Sequence, residues 1–267
     1  MITDTTAEAE KRQHEIFARL SGEQKVRLAM EFSDTVRDIA WEGFRQRHAL
    51  VAEKTLRALF FEEVYGIELL RDQKAKTMDE SDFLKRLVDK LSESGIPFML
   101  VGSVAASYHG HPRSTFDVDL VVDADEETLC RFARSLGEGY YVSEESVREA
   151  FRSRTAFNVI DEATGYKADF IVRKERSFSR TEFSRRMSVG MLNKTLEIAT
   201  PEDVILSKLE WSKMGSSERQ WTDALQVAKT QGKRLDLAYI DRWSAELGVA
   251  DLWERIREAV FPGHEQE

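Results

Sequence analysis

The stretch VGSVAASYHGHPRSTFDVDLVVD, residues 101–123, decides the fold that this sequence predicts. It begins where an apolar run, residues 98–101, indicates a buried strand. Gly102 and Ser103 come directly after it, and they predict a tight turn into a short helix. A second apolar strand, residues 116–122, comes next. Strand, turn, helix and strand in this order are typical of a domain that mixes α and β structure.

Two carboxylates interrupt the second of these strands. Asp117 and Asp119 are two residues apart, so in a strand both side chains leave the same face. Two like charges at this spacing repel each other unless a cation lies between them. Mg²⁺ prefers carboxylate oxygen and commonly binds one or two carboxylates together with substrate phosphates. The pair therefore predicts a site for a hard divalent cation.

A third acid and the Gly-Ser turn complete the predicted site. Asp169 interrupts the apolar strand 166–172, where a lone carboxylate is unfavourable unless it is exposed or binds something. Two metal ions about 3.5–4 Å apart can hold the attacking and leaving oxygens of an in-line displacement. Gly102 permits close approach of the backbone, and Ser103 lies at a helix N-terminus, where N–H groups favour phosphate. The pattern predicts a phosphate cradle beside a two-metal site.

This ordered set of Gly-Ser, Arg-Ser-Thr, Asp-x-Asp and a late strand Asp resembles the nucleotidyltransferase superfamily of polymerase-β-like enzymes. The gap before the acid pair is most similar to the AbiEii and MenT toxin-type branch and its uncharacterised bacterial relatives. The resemblance covers residues 83–227. It implies an α+β fold with a mixed sheet and helices. It also implies Mg²⁺ as the cofactor, with Mn²⁺ as the alternative ion, bound by Asp117, Asp119 and Asp169 as catalytic acids.

Further site residues are expected around the nucleotide. The expected nucleotide-binding residues are Gly102, Ser103, Arg113, Ser114 and Lys208. The resemblance places Lys208 at the triphosphate and gives Asp223 an orienting or basic role. The residues themselves leave simpler alternatives open, since Arg113 can brace a turn, whereas Lys208 and Asp223 can be solvent-facing helix residues. His109 and His111 have no further Cys or His nearby, which favours loop histidines over a metal pair.

The predicted reaction is transfer of a nucleoside monophosphate from an NTP to an acceptor hydroxyl, with release of pyrophosphate. The acceptor stays open between tRNA, as for a toxin-type enzyme, and a small hydroxyl compound, as for antibiotic-modifying relatives. A non-catalytic nucleotide-binding or partner-binding protein, antitoxin-like, is the alternative from another functional class. A protein partner would use the N-terminal helical part.

Composition limits the partners. The 267 residues carry a net charge of −9, so a strongly basic nucleic-acid binder is not indicated. Residues 171–194 are nevertheless locally basic, with seven Lys or Arg against two Glu, and they form either a solvated face or an anion-binding patch. The single cysteine, Cys130, suits a reducing cytoplasm and is expected to be buried. No apolar run predicts a membrane span or a secretory signal.

Periodicity divides the chain into three predicted parts: a helical N-terminal module (1–76), a mixed α and β core (80–199) and a C-terminal helical region (200–262). The family resemblance implies that the second part is a nucleotidyltransferase core. In the first, helices are expected from residue 23 and over 52–64, with a polar linker at 72–82. In the core, strands 157–161 and 166–172 predict a hairpin, and weaker strands are expected at 186–189 and 195–198. In the last, Thr200 and Pro201 predict a capped helix start, and the tryptophans Trp221, Trp243 and Trp253 are expected in the core.

Overall fold

The structure, a computed structural model, describes residues 18–31, 33, 56, 59, 80–110, 115, 117–162 and 165–261. The chain divides into two compact units. The central unit comprises Met30–Phe98 and Ser114–Arg173, and the C-terminal unit comprises Met1–Ala29, Met99–Arg113 and Lys174–Glu267. Each unit is thus assembled from segments that are distant along the chain. The predicted boundaries near residues 76 and 199 stay predictions.

Helices and strands alternate along the described chain, which confirms the predicted mixture of α and β structure. In chain order the elements are α1 (Glu80–Glu93), β1 (Phe98–Leu100), α2 (Gly102–His109), β2 (Asp117–Val122), α3 (Glu126–Ser135), β3 (Tyr140–Tyr141), α4 (Glu144–Ser153), β4 (Ala156–Asp161), β5 (Lys167–Val172), α5 (Ser177–Arg185), β6 (Met187–Met191), β7 (Lys194–Ile198), α6 (Pro201–Gly215), α7 (Glu218–Gln231), the 3-10 turn Gly232–Arg234, α8 (Leu237–Glu246) and α9 (Ala250–Val260). Residues 22–31 are also helical.

The central unit contains four strands in the order β3-β4-β5-β2. β2 and β5 are parallel, whereas β4 is antiparallel to both β5 and β3. The predicted hairpin of β4 and β5 is therefore confirmed. On β2, the side chains of Val118, Leu120 and Val122 are fully buried. Because side chains alternate along a strand, burying these three turns Asp117 and Asp119 to the opposite face.

Aromatic and aliphatic side chains fill the core of the central unit. The ring of Phe170 on β5 packs against Phe157 on β4 and against Phe132 on α3, with ring centroids 5.2 Å and 5.3 Å apart. Leu84, Leu87 and Leu91 recur at helical spacing on α1 and are fully buried. This core fixes β2 and β5, which carry the three acids.

In the C-terminal unit, β1 pairs in parallel with β7, and β6 and β7 form an antiparallel hairpin. The predicted weak strands are thus confirmed. α6 begins as predicted, because Thr200 accepts a hydrogen bond from the backbone N–H of Asp203 and Pro201 occupies the first turn. α6 packs mainly against α7.

The expected aromatic core is only partly correct. Trp243 and Trp253 are buried, as predicted. Trp221 is only half-buried, and the guanidinium of Arg255 lies 4.8 Å from its ring centroid. A further tryptophan, Trp211 on α6, is 56% exposed. A helix buries only the face that meets the core. Trp221 on α7 and Trp211 on α6 therefore do not lie fully on the buried faces of their helices.

Other sequence expectations differ from the structure or lie outside its described residues. α1 begins at Glu80, inside the predicted linker, and β3, α4 and α5 have no counterpart among the predicted elements. Cys130 is fully buried, as expected. The predicted helix over 52–64, the later turns of the helix from residue 23 and most of the linker lie outside the described residues. Within the described residues, every helix is too short or too polar to cross a bilayer.

Candidate functional site

The three predicted acids lie on one face of the strands β2 and β5. Asp119 is in register with Asp169, and Asp117 is in register with Lys167. The parallel pairing gives register neighbours the same orientation, so all four side chains leave the same side. The structure therefore brings Asp117, Asp119 and Asp169 together as the sequence predicts. Their roles as metal ligands stay predictions.

A lysine ammonium lies between two of these carboxylates. Nζ of Lys167 is 3.3 Å from Oδ1 of Asp117 and 3.2 Å from Oδ2 of Asp169. Partial burial lowers the pKa of Lys167, but the carboxylates of Asp169 and Asp117 outweigh it and raise that pKa above its usual value. Lys167 is therefore a fixed positive charge within the acid group.

Asn158 on β4 completes the contacts of Asp169. Its Nδ2 donates a hydrogen bond to Oδ1 of Asp169, the residue opposite it in the antiparallel pair. One carboxylate oxygen of Asp169 thus accepts a hydrogen bond from the amide of Asn158, and the other contacts the ammonium of Lys167. Sequence reasoning missed both partners. The position of Lys167 was predictable from the sequence, because it precedes Asp169 by two residues in a strand and so lies on the same face.

The donor chemistry of the group fits a hard cation. Mg²⁺ and Mn²⁺ bind carboxylate oxygen, and three carboxylates on adjacent strands supply it. Within the described part of the chain, however, no three acidic, His or Cys side chains stand in an arrangement that would hold an ion. Between Asp117 and Asp169 lies the ammonium of Lys167 instead. Metal binding therefore requires these side chains to rearrange.

The Gly-Ser turn opens α2 in the C-terminal unit. Gly102 has a φ of +59°, in the left-handed region where a β-carbon is unfavourable. Val101 precedes the helix in extended conformation and gives no side-chain cap to its first N–H groups. Ser103 is buried. The turn thus has the backbone form that the sequence predicts, and its contact with nucleotide phosphate stays a prediction.

Lys208 and Asp223 contact each other, although no sequence pattern indicates that they pair. Nζ of Lys208 on α6 is 2.8 Å from Oδ2 of Asp223 on α7, and both side chains are buried. The alternative that both are solvent-facing helix residues is therefore wrong. In such a buried pair each charge offsets part of the other's desolvation cost, whereas either charge left alone would be strongly unfavourable. Their expected nucleotide roles stay predictions.

The remaining predicted residues separate into described and undescribed ones. Arg113 and Ser114, like His111, lie outside the described residues. His109 is buried, and its ring Nε2 is 2.8 Å from the carbonyl oxygen of Ala199, to which it donates in the neutral ring. Burial lowers the pKa of His109 to about 4. His109 is thus the buried last residue of α2 and not the loop histidine that the sequence favours.

The basic stretch 171–194 is balanced by acids. Arg176 makes a two-pronged contact with Glu210. Each of five arginines lies within 3.7 Å of a carboxylate: Arg173 with Asp123, Arg176 with Glu210, Arg180 with Glu175, Arg185 with Glu202 and Asp203, and Arg186 with Glu197. Five of the seven basic residues of the stretch are therefore in ion pairs, and both sequence alternatives stay predictions.

No protein-family model matches the chain, and no curated protein does. It is similar in structure to an antigenic nucleotidyltransferase-like protein from Paracoccidioides brasiliensis, with 16% identity over 68% of this chain and 95% of that one and a TM-score of 0.43. The antibiotic-resistance factor ANT(2'')-Ia matches with 10% identity, 66% and 97% coverage and a TM-score of 0.46. A tRNA-processing enzyme in an apo form matches with 14% identity, 68% and 61% coverage and a TM-score of 0.26. At such similarity, a function for this chain has to be argued from its own residues.

Proposed function

We propose that the chain is a metal-dependent nucleotidyltransferase, which transfers a nucleoside monophosphate from an NTP to an acceptor hydroxyl and releases pyrophosphate. One observation carries the proposal. Asp117, Asp119 and Asp169 project from one face of two adjacent parallel strands, with Asp119 and Asp169 in register. Three carboxylates at this spacing repel one another, and a divalent cation with a polyphosphate is the ligand that they suit.

The acids would hold Mg²⁺ in this proposal. When bound, the ion neutralises charge on the phosphate oxygens and helps to align the reacting groups. The chain itself contributes rigid positions, because backbone hydrogen bonds of β2, β5 and β4 fix the three acids and the partner Asn158. Such positioning and charge stabilisation are the main sources of catalysis in phosphoryl and nucleotidyl transfer. The expected nucleotide contacts of Gly102, Ser103 and Lys208 stay predictions.

The acceptor that the described charges favour is a small hydroxyl compound. A tRNA acceptor would need unpaired cations along its phosphate backbone. The arginines of the basic stretch instead contact carboxylates, among them Glu210, Asp203 and Glu197. The net charge of −9 also opposes the approach of a polyanion. The toxin-type role, which goes with a tRNA acceptor, and a protein partner for the N-terminal part stay predictions.

A labelling experiment tests the proposal. The purified chain is incubated with Mg²⁺ and each α-labelled NTP, alone, with small RNA, and with a set of hydroxyl compounds that includes aminoglycosides. Asp119→Asn removes one acid of the group. Asp89→Asn is the matched control, because Asp89 is an exposed acid on α1.

Label on a small compound, lost in Asp119→Asn and kept in Asp89→Asn, is the expected result. Label on RNA would support nucleotidyltransferase activity but contradict the proposal that the acceptor is a small hydroxyl compound. Equal labelling by wild type and Asp119→Asn would contradict the assigned acids. Nucleotide binding without any transfer would favour the non-catalytic alternative.

A further inference from the structure

Lys167 is the one cation that the structure places inside the acid group among the described residues. β5 carries Lys167 and Asp169 on the same face, and register pairing sets Lys167 beside Asp117. Its ammonium is 3.2–3.3 Å from one oxygen of each carboxylate. The contact therefore joins two strands and not just two neighbours on one strand. Lys167 therefore differs from a freely moving surface lysine, because two carboxylates hold its ammonium in place.

The side chain of Lys167 is mostly buried, which limits its movement away from the two carboxylates. Only 21% of it is exposed, against 38% for Asp117. Asp169 is held from the other side by Asn158, which contacts its second oxygen. Partial burial strengthens the attraction between the ammonium and its carboxylates compared with that in open water. The pairing is thus more than a loose surface contact.

The charge of the acid group determines how a divalent ion can bind there. Three carboxylates carry three negative charges, and Lys167 reduces the total to two. An ion bound by the same oxygens of Asp117 and Asp169 would occupy the space that the ammonium fills. Ammonium and metal ion therefore compete, both because they share ligands and because two cations repel each other.

We propose that Lys167 is the internal counter-ion of the acid group, which occupies the gap between Asp117 and Asp169 in the metal-free chain and has to leave before a divalent ion binds there. This inference rests on the proposed function, because it assigns the acids to a metal site. It makes Lys167 a positioning residue that sets the metal affinity of the site. Without it, the acids bind metal more tightly, and the metal-free chain is less stable because the carboxylates repel.

Mn²⁺ binding, without nucleotide, tests the proposal. The electron paramagnetic resonance signal of free Mn²⁺ is titrated with wild type, Lys167→Met, Lys167→Gln and Lys167→Arg. Lys90→Met is the matched control, since Lys90 pairs with Glu93 on α1. Asp119→Asn reports whether the acids bind the ion at all. Thermal unfolding in EDTA and in Mn²⁺ provides a second readout and identifies any variant that fails to fold.

Both neutral variants are expected to lower the Kd for Mn²⁺ by about tenfold or more, since removing one charge at about 4 Å favours a divalent ion by at least that factor. Lys167→Arg and Lys90→Met stay close to wild type. The neutral variants are also expected to unfold at a lower temperature than wild type in EDTA, and Mn²⁺ is expected to raise their unfolding temperature more than that of wild type.

An unchanged or raised Kd in both neutral variants overturns the counter-ion role. If Asp119→Asn weakens Mn²⁺ binding in the same series, the metal site of the proposed transferase survives that result. If none of the proteins binds Mn²⁺, the counter-ion role and the proposed metal site both fail. Nucleotide transfer, measured separately, decides the reaction itself.

Discussion

The ion pair between Lys208 and Asp223 gives a test at the scale of single residues. Lys208→Met removes the ammonium 2.8 Å from the buried carboxylate of Asp223. Breaking one side of a buried pair commonly costs about 3–5 kcal/mol, because the other charge stays buried. We expect the free energy of unfolding in urea to fall by that amount.

The double variant Lys208→Met with Asp223→Leu is the control for this prediction. It removes both charges, so it is expected to recover most of the lost stability. A double variant as unstable as the single one would contradict the assignment of the pair. A single variant that keeps full stability but loses affinity for NTP would favour the nucleotide role that the family resemblance implies for Lys208.

Single residues are predictable where strand periodicity applies. Spacing two apart places Asp117 and Asp119 on one face, and the same rule places Lys167 beside Asp169. The pair Lys208 and Asp223 is not predictable in this way, because it depends on how α6 packs against α7. A sequence pattern indicates the face of a helix but not the partner that the face meets.

At the scale of elements, the turn into α2 depends on one backbone angle. Gly102 has a φ of +59°, whereas Gly190 on β6 has an ordinary φ and open space where a β-carbon would go. A left-handed backbone costs an L residue about 1–2 kcal/mol. We expect Gly102→Ala to lower the free energy of unfolding by about that amount, and Gly190→Ala to change it little.

Urea unfolding of the two variants measures this difference. If the α2 N-terminus binds phosphate, Gly102→Ala also weakens NTP binding under conditions where both variants are fully folded. Equal stability of the Gly102 and Gly190 variants would contradict the role assigned to the turn.

Element prediction fails where the apolar spacing is weak. In α5 the two phenylalanines, Phe178 and Phe183, are five residues apart, which does not match the three-to-four spacing of a helix face. In α4 only Val147 and Ala150 are buried. α5 is therefore stabilised by packing that a local pattern does not express, whereas in α4 the spacing of Val147 and Ala150 and the N-cap Ser143 are helix signals that the prediction overlooked. The predictions of β1, α2 and β2, where apolar runs end in clear turn residues, are correct.

At the scale of the whole molecule, two buried groups shape the dependence of stability on pH. Burial raises the pKa of Glu182 to about 8, although Ser207 donates a hydrogen bond to its carboxylate oxygen. Burial lowers the pKa of His109 to about 4. His109 therefore costs stability as pH falls from about 6.5 to about 4. Glu182 costs stability as pH rises from about 4.5 to about 8.

Above about pH 6.5, the ordinary pKa of histidine, His109 no longer affects the pH dependence of stability, but Glu182 still does. Wild type is therefore expected to lose stability between about pH 6.5 and 8. Glu182→Gln keeps the neutral form and is expected to remove that loss. Thermal unfolding at a series of pH values measures it, with the exposed Glu138→Gln as control. A parallel loss in wild type and Glu182→Gln would contradict the assigned burial.

The division of the molecule into units is not evident from the sequence. The central unit takes Met30–Phe98 and Ser114–Arg173, so the stretch 101–123 that decides the fold is shared between units. Periodicity reports local structure, whereas strand pairing such as β1 with β7 joins residues about a hundred positions apart. The class of fold is therefore predictable from the sequence, whereas such long-range pairings are not.

Central to the proposed function is cleavage of an NTP between its α- and β-phosphates at the acid group. The most direct measurement is the release of pyrophosphate with Mg²⁺ and the acceptor identified by labelling, for wild type, Asp119→Asn and Asp89→Asn. We expect pyrophosphate in amounts equal to the transferred nucleotide, lost in Asp119→Asn and retained in Asp89→Asn. Release of inorganic phosphate in place of pyrophosphate, or the same rate in Asp119→Asn as in wild type, would contradict the proposed function.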